Sequence, residues 1–189
     1  CALPIYVMDV LENGASASSR VRISTESALN KLVAHGKSAD GMELLIYENC
    51  NIGNGSQSNN PWLQELPDAI TKVTWDNYIT VPYKLAIDKG WRDGDHVKLV
   101  ANGKEVEVPL IIQPGQANGC LCLSVGYGHS DLAGKAAANI GVHAYPFVDS
   151  SGEYVSYAVA AATVEATGDS TEMAKTQPSI GSELGDGTR

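Results

Sequence analysis

The sequence predicts a mainly β protein, a closed or nearly closed β-barrel with a few short helices. Its apolar segments are short and bounded by turns rich in Gly, Asn, Asp and Pro, which is typical of barrel strands. It also lacks the long helical patterns at regular intervals that a doubly wound α/β sheet needs. Its 189 residues, 43% of them hydrophobic, suit one globular domain with extensions.

Residues 1–41 are expected to form an N-terminal extension with one helix. Ser24 or Thr25 can cap this helix, and Gly36 supplies its stop signal. The apolar positions recur at helical spacing and are Ala28, Leu29, Leu32 and Val33.

The barrel is expected to occupy residues 42–164 and to begin with a strand over Met42–Cys50. A long polar loop follows. Asn60 and Pro61 then open a short helix, as its N-cap and first residue.

The middle of the chain predicts a strand, a short helix and a hairpin. The strand covers residues 77–81, and the helix "YKLAIDKG" ends at Gly90. Asn102-Gly103 tolerates the positive φ angles of a two-residue hairpin turn. The residues expected to point into the barrel are Val97, Leu99, Val106 and Val108. Those expected on the polar face are His96, Lys98, Glu105 and Glu107.

Two further strands complete the predicted barrel. "CLCLSVGYG" is a core strand whose two thiols, Cys120 and Cys122, share one face. "YVSYAVAAATVEATG" is the last strand. Residues 165–189 are expected to form a flexible polar tail that leads out of the domain, or an arm ordered by a partner.

Charge argues against a nucleic-acid partner, and hydropathy argues against a membrane-spanning helix. The formal net charge is −9, whereas nucleic-acid-binding domains are usually basic. No run of about 18 apolar residues is present, so no membrane-spanning helix is predicted. The chain begins at Cys1 without an initiator Met or a signal peptide, and we interpret it as a piece of a longer protein. A mature lipoprotein with Cys1 at its start is the alternative.

The sequence contains no recognisable catalytic or metal-binding motif. The four His residues lack metal-ligand spacing, and no Ser stands in a Gly-x-Ser-x-Gly context. The cysteines lack paired Cys-x2-Cys spacing and are interpreted as buried free thiols. Asp93 and Asp95 are interpreted as turn residues, with a catalytic carboxylate pair as the alternative.

The Gly- and Asn-rich loop after the first strand has two interpretations. Backbone N–H groups of "GNGSQSNN", around Gly53 and Gly55, are able to cradle an anion if they are free. An ordinary surface loop is the alternative, since no Lys follows as in a P-loop.

Three segments resemble a known domain. "ELLIYENCNIGNGSQSNNPWLQELPD", "LAIDKGWRDGDHVKL" and "VPLIIQPGQANGCLCLSVGYG" are similar, in this order, to the C-terminal molybdopterin-dinucleotide-binding domain of the dimethyl-sulfoxide-reductase superfamily. The resemblance covers Glu43–Tyr127 and implies a double-psi β-barrel of the aspartate-decarboxylase-like type. "NNPWLQELPDAITKVTWDNY" is most similar to the molybdopterin-oxidoreductase-like iron–sulfur subunit of bacterial alternative complex III, a Tat-translocated type. The tail "MAKTQPSIGSELGDGTR" also resembles the segment that leads to that subunit's iron–sulfur domain.

The resemblance implies a changed nucleotide site. Cofactor-loaded relatives open the helix before the acidic turn with an Asn-Pro-x-Asp type signature. Here Pro82-Tyr83-Lys84-Leu85 stands at those positions, without the Asn and the Asp. Each unmet hydrogen-bond partner in a buried site costs about 1–3 kcal/mol. The resemblance therefore implies a barrel that holds no molybdenum cofactor.

The same resemblance places four residues near the former pterin pocket: Asn59, Asn60, Trp62 and Gln64. Structural roles are the alternative, since Asn60 is already explained as a helix cap and Trp62 as core packing. No catalytic or metal-ligating residue is expected in this chain.

The predicted function is that of a non-catalytic scaffold domain in a quinol-oxidising respiratory complex on the periplasmic side of the bacterial inner membrane. The expected partners are the iron–sulfur domain of the same parent chain and the membrane quinol-oxidising and cytochrome subunits, with clusters held elsewhere in the parent. The alternative is the C-terminal domain of an active polysulfide or thiosulfate reductase that binds one molybdopterin guanine dinucleotide. A free-standing barrel for another small ligand is the third hypothesis.

Overall fold

The computed structural model describes residues 41–150 and 155–177, together with three residues nearer the N-terminus. The chain divides into two compact units, Cys1–Ser38 and Ala39–Arg189. The three additional residues, Glu26, Leu29 and Asn30, are helical and lie within the helix predicted for the extension. The rest of that helix lies outside the described residues.

Six strands close into a barrel in the described part of the second unit. They are β1 (Met42–Glu48), β2 (Ile79–Pro82), β3 (Asp95–Ala101), β4 (Lys104–Gln113), β5 (Cys120–Val125) and β6 (Ala158–Ser170). Their order around the barrel is β1-β5-β2-β4-β3-β6. The β1–β5 and β2–β4 pairs are parallel, and the other pairs are antiparallel. The predicted fold class, mainly β with a closed double-psi barrel, is confirmed.

Two short α-helices, α1 (Pro61–Glu65) and α2 (Tyr83–Lys89), connect strands of the barrel. The predicted start of α1 is confirmed, because the Asn60 side chain accepts a hydrogen bond from the Trp62 amide at 3.1 Å. The predicted end of α2 is confirmed as well, since Gly90 adopts a left-handed conformation with φ 71°. No helix among the described residues is both long and apolar enough to cross a membrane.

The β3–β4 hairpin agrees with its sequence prediction. Asn102 and Gly103 both have positive φ angles, 47° and 68°, as a tight two-residue turn requires. The residues predicted to face inward are buried or partly buried, and Val97, Leu99 and Val108 have no exposed surface.

One continuous apolar core fills the barrel. Alternate residues of each strand point inward, so the six strands contribute to a single cluster. Its fully buried strand residues include Leu44, Ile79, Val81, Val97, Leu99, Val108, Leu110, Leu121 and Leu123. Ala144 and Phe147, from the connection between β5 and β6, pack into the same core.

The last strand ends two residues beyond the predicted strand, which stops at Gly168. β6 ends at Ser170, whereas the expected domain boundary lies at residue 164. Its second half pairs with β3 up to the Asp95–Ser170 pair, and backbone pairing does not require apolar side chains. Six of the residues expected in the flexible tail therefore belong to the barrel.

The chain remains attached to the barrel after β6. The Thr171 amide donates to the Gly94 carbonyl at 2.9 Å, and the Lys175 ammonium lies 2.6 Å from an Asp93 carboxylate oxygen. A side chain at position 94 would meet the Thr171 carbonyl oxygen at 2.2 Å, so only glycine permits this approach. Residues 178–189 of the expected tail lie outside the described residues.

Candidate functional site

The Gly- and Asn-rich loop between β1 and α1 uses its amide groups internally. Five N–H groups of the loop each have a hydrogen-bond acceptor within it at 2.9–3.1 Å. They belong to Gly53, Gly55, Ser56, Ser58 and Asn60. These occupied donors favour the surface-loop interpretation, and the anion cradle stays a prediction.

Three of the predicted site residues form side-chain hydrogen bonds with backbone groups of this chain. The Asn59 carbonyl oxygen Oδ1 accepts from the Ala136 amide at 3.1 Å, which ties the loop to the connection after β5. The Asn60 side chain caps α1. Gln64 is buried, and its Nε2 donates to the Ser58 carbonyl at 2.9 Å, while its Oε1 has no hydrogen-bond partner. The structure therefore brings these amides together around the start of α1, where each has a structural role.

Trp62, the fourth predicted site residue, faces outward. Its side chain is 81% exposed, so the core-packing interpretation is wrong. The short helix α1 lies at the surface and buries only its Gln64 side. Leu66, four residues later, and Ile70 are also exposed, and we call these three residues the Trp62 surface.

The start of α2 lacks the Asn and Asp side chains that the resemblance implies for a nucleotide site. Pro82 stands at the N-cap, is buried and makes no side-chain capping bond. Leu85 packs partly buried against the core. The two positions at which the resemblance implies Asn and Asp are therefore filled by apolar packing, and neither offers a hydrogen-bonding group to a guanine nucleotide.

The acidic turn after α2 is structural, in agreement with its prediction. An Asp95 carboxylate oxygen accepts from the Arg92 amide at 2.8 Å, as turn aspartates commonly do. Asp93 accepts from the Ile112 amide at 2.7 Å and pairs with Lys175. The sequence did not predict the ion pair, because its partners are 82 residues apart.

A polar network around Asp68 was missed by the sequence analysis. Asp68 Oδ1 accepts from the amides of Ile70 and Thr71 at 2.9 and 2.8 Å, and from the Thr71 hydroxyl at 3.0 Å. The Thr71 hydroxyl also bonds to the Tyr78 phenol. The Cys50 thiol lies 3.6 Å from Asp68 Oδ2 and is exposed, so the prediction of a buried thiol is wrong for Cys50.

Burial and hydrogen bonding have opposite effects on the ionisation of this network. Burial acts to raise the pKa of Asp68, but hydrogen bonds from Thr71, Ile70 and Cys50 outweigh it and lower that pKa below its ordinary value of 3.8. Burial raises the pKa of the Tyr78 and Tyr127 phenols. At pH 7 the network therefore holds an ionised carboxylate and neutral phenols.

Replacing Asp68 by Asn is expected to lower the free energy of unfolding by about 1–2 kcal/mol at pH 7, because a charged acceptor is lost. The folded-state pKa is depressed, so this stability exists above the unfolded pKa and disappears as the pH falls through the folded one. Urea denaturation at pH 7 and pH 3 measures both values. The exposed Asp88→Asn variant on α2 is the control, and an equal loss for Asp68→Asn at both pH values contradicts the prediction.

His96 forms a second polar cluster on the outside of the hairpin. Its Nδ1 lies 3.1 Å from Glu107 Oε1, and its Nε2 lies 2.7 Å from the Thr171 hydroxyl. The Thr171 hydroxyl, the His96 imidazole and the Glu107 carboxylate thus follow the order of a catalytic triad, namely a nucleophile, a base and an orienting carboxylate. The Thr171 N–H, however, already donates to Gly94, so it is not free to stabilise an oxyanion. The cluster joins β3 and β4 to the residues after β6.

No group of three or more His, Cys, Asp or Glu side chains among the described residues is placed to hold a metal ion.

The chain was compared with protein-family models, curated proteins and solved structures. No protein-family model matches the chain, and no curated protein matches it. Among solved structures, it is similar to acetylene hydratase from Pelobacter acetylenicus. The identity is 12%, the TM-score is 0.39, and the match covers 72% of this chain and 19% of that enzyme. The chain thus spans less than a fifth of that structure, and a similarity this distant does not assign it to a family.

Proposed function

We propose that this chain is a domain of a molybdopterin-oxidoreductase-like respiratory subunit that acts as a non-catalytic scaffold, without bound molybdenum, in a quinol-oxidising electron-transfer complex. In this proposal the parent protein lies on the periplasmic side of the bacterial inner membrane. Electrons pass through iron–sulfur clusters held elsewhere in the parent chain, and the barrel supports the neighbouring iron–sulfur domain.

One observation carries this proposal: the barrel is complete, while three of the four side chains that the resemblance places near a pterin pocket make internal hydrogen bonds. The Asn59 and Asn60 side chains accept hydrogen bonds from backbone amides, and the Gln64 side chain donates one to a backbone carbonyl. Pro82 and Leu85 are packed at the start of α2. A polar dinucleotide needs unoccupied donors and acceptors, because each unmatched buried group costs about 1–3 kcal/mol.

A second candidate function has one observation in its favour. The Gln64 oxygen Oε1 is buried without a hydrogen-bond partner, and an unsatisfied buried acceptor is uncommon in folded proteins. A pterin amide donor is able to satisfy it after a side-chain rotation. This favours the alternative, the cofactor-binding domain of an active molybdenum oxidoreductase of the polysulfide or thiosulfate reductase type.

Metal and pterin analysis of the full-length parent protein separates the two candidates. We expect mass spectrometry to find abundant iron with molybdenum and tungsten far below one atom per chain, and oxidised-pterin fluorescence at background. The protein must be purified from cells that make the cofactor, with a known molybdenum enzyme from the same cells as the positive control. Near-stoichiometric molybdenum and pterin would overturn the scaffold proposal.

The Trp62 surface is the part of the scaffold that we expect to contact a partner. Exposed Trp is unusual on a free surface and is enriched at protein interfaces. In the assembled complex, Trp62→Ala is expected to weaken association of the parent subunit at least tenfold, while leaving the unfolding midpoint of the isolated chain unchanged. Ile87→Ala, which removes an exposed apolar side chain on α2, is the matched control. Equal affinities of the two variants would rule out this surface as the contact.

A further inference from the structure

Two cysteines lie side by side on the outer face of β5. Cys120 and Cys122 alternate with Leu121 and Leu123, which are fully buried in the barrel core, so both thiols point away from the core. Both are half-buried and both are free thiols.

The backbone holds this pair in a geometry that disfavours a disulfide. Residues i and i+2 of a strand have Cα atoms about 6.6–6.8 Å apart, whereas most disulfides span about 5.5–6 Å. This separation lies at the upper end of the range that disulfides span, about 4.4–6.8 Å.

A buried hydroxyl adjoins the pair. Thr80 lies opposite Cys122 in the β2–β5 pairing and is only 2% exposed. Its hydroxyl has no hydrogen-bond partner among the described residues. Buried hydroxyls without a partner are uncommon. A negatively charged sulfur at Cys122 is the acceptor that this hydroxyl lacks.

Gln116 fixes the backbone around the thiols. Its Nε2 donates to the carbonyls of Thr80 and Cys120, at 3.0 and 2.6 Å. Only two residue pairs connect β2 and β5 in the sheet, and the Gln116 side-chain amide adds a further link between the two strands. This bridge keeps Thr80 and the two cysteines in a fixed arrangement before any ligand arrives.

We propose that Cys120 and Cys122 form a two-thiolate binding site for a soft monovalent metal ion, Cu(I), with the Thr80 hydroxyl donating a hydrogen bond to the Cys122 sulfur. Thiolates are the ligands that select Cu(I), and this ion accepts two-coordinate geometry. A structural zinc site needs four ligands, and the described residues offer no third His, Cys, Asp or Glu here. Binding exchanges two thiol protons for one Cu(I), with no change of oxidation state.

Anaerobic titration of the reduced full-length chain with Cu(I), in competition with the chromophoric chelator bicinchoninate, tests the site. We expect one high-affinity Cu(I) per chain and an X-ray absorption spectrum with two sulfur neighbours. Cys120→Ser and Cys122→Ser are each expected to weaken binding at least a hundredfold, whereas Cys50→Ser leaves it unchanged. Failure of the wild-type chain to take Cu(I) from the chelator, or an equal loss in Cys50→Ser, would overturn the proposal.

A second measurement needs no cysteine variant and so does not depend on how those variants fold. We expect one equivalent of Cu(I) to protect Cys120 and Cys122 of the wild-type chain from iodoacetamide, while Cys50 is alkylated at its usual rate. Thr80→Val is expected to keep the stoichiometry and weaken binding about tenfold, because a hydrogen bond to a charged sulfur is lost. Unprotected Cys120 and Cys122 would contradict the site. This result is independent of whether the parent protein carries molybdenum.

Discussion

Asn77→Asp is expected to lower the free energy of unfolding by about 3–5 kcal/mol, or to prevent folding, although it changes a single side-chain group. Asn77 is fully buried. Its Nδ2 donates to the carbonyls of Ser124 and Val142, at 2.9 and 3.0 Å, and its Oδ1 accepts from the Val142 amide at 2.8 Å. An aspartate has an oxygen in place of the Nδ2 donor, and this oxygen faces the two carbonyl oxygens and is repelled by them. The substitution also places a negative charge in the protein interior.

Urea denaturation at pH 7 measures this effect. The matched control is Asn54→Asp in the polar loop, because Asn54 uses only its oxygen, as an acceptor for the Ser56 amide, and is exposed. An aspartate preserves that bond, so the control is expected to change stability by less than about 0.5 kcal/mol. Similar unfolding midpoints for the two variants would show that Asn77 does not hold the chain after β5 to the barrel.

The second large effect is expected at the buried ion pair after β6. Lys175→Met is expected to destabilise the barrel by about 3 kcal/mol, because it leaves the Asp93 carboxylate buried without its cation. The side chains of Lys175 and Asp93 are 12% and 6% exposed, and their charged atoms lie 2.6 Å apart.

The exposed Lys98–Glu105 pair supplies the control. Its N–O distance is 2.8 Å, but its side chains are 47% and 66% exposed. Lys98→Met is expected to cost much less than Lys175→Met, since water screens the pair. Thermal and urea unfolding of both variants measure how burial changes the contribution of an ion pair, because the two pairs have similar N–O distances. A cost for Lys98→Met equal to that for Lys175→Met would contradict the argument, and Asp93→Asn in the Lys175→Met background is expected to recover part of the loss.

Local features of this fold were predictable from the sequence because nearby residues determine them. The cap by Asn60, the end of α2 at Gly90 and the turn at Asn102-Gly103 each depend on the conformational preferences of one or two residues. Alternation of apolar and polar residues likewise predicted which side of the β3–β4 hairpin faces the core.

Features that depend on distant pairing were not predictable. β6 continues to Ser170 because β3 offers it a pairing edge, and no property of its polar sequence signals this. The contacts of Asn77 with Val142 and of Asp93 with Lys175 join residues 65 and 82 positions apart. Trp62 was misjudged because an aromatic residue in a short helix is usually core, and exposure depends on which helix face meets the barrel.

The resemblance selected the region of the candidate site, but it did not predict which groups the side chains there bind. The resemblance selected four residues around the start of α1, and the structure does bring Asn59, Asn60 and Gln64 together there. Side-chain identity did not reveal that these amides bind their own backbone. Such bonding depends on the folded path of the loop.

Closure of the barrel by β6 has a consequence for synthesis on the ribosome. β6 pairs with β1 through Ala158–Ala162 and with β3 through Thr163–Ser170, so it is the strand that joins both ends of the sheet. Until this last strand leaves the exit tunnel, β1 and β3 have unpaired edges, which readily associate with other chains. Between the synthesis of β5 and the release of β6, the five earlier strands form at most an open sheet, and protection by a chaperone matters most in that interval.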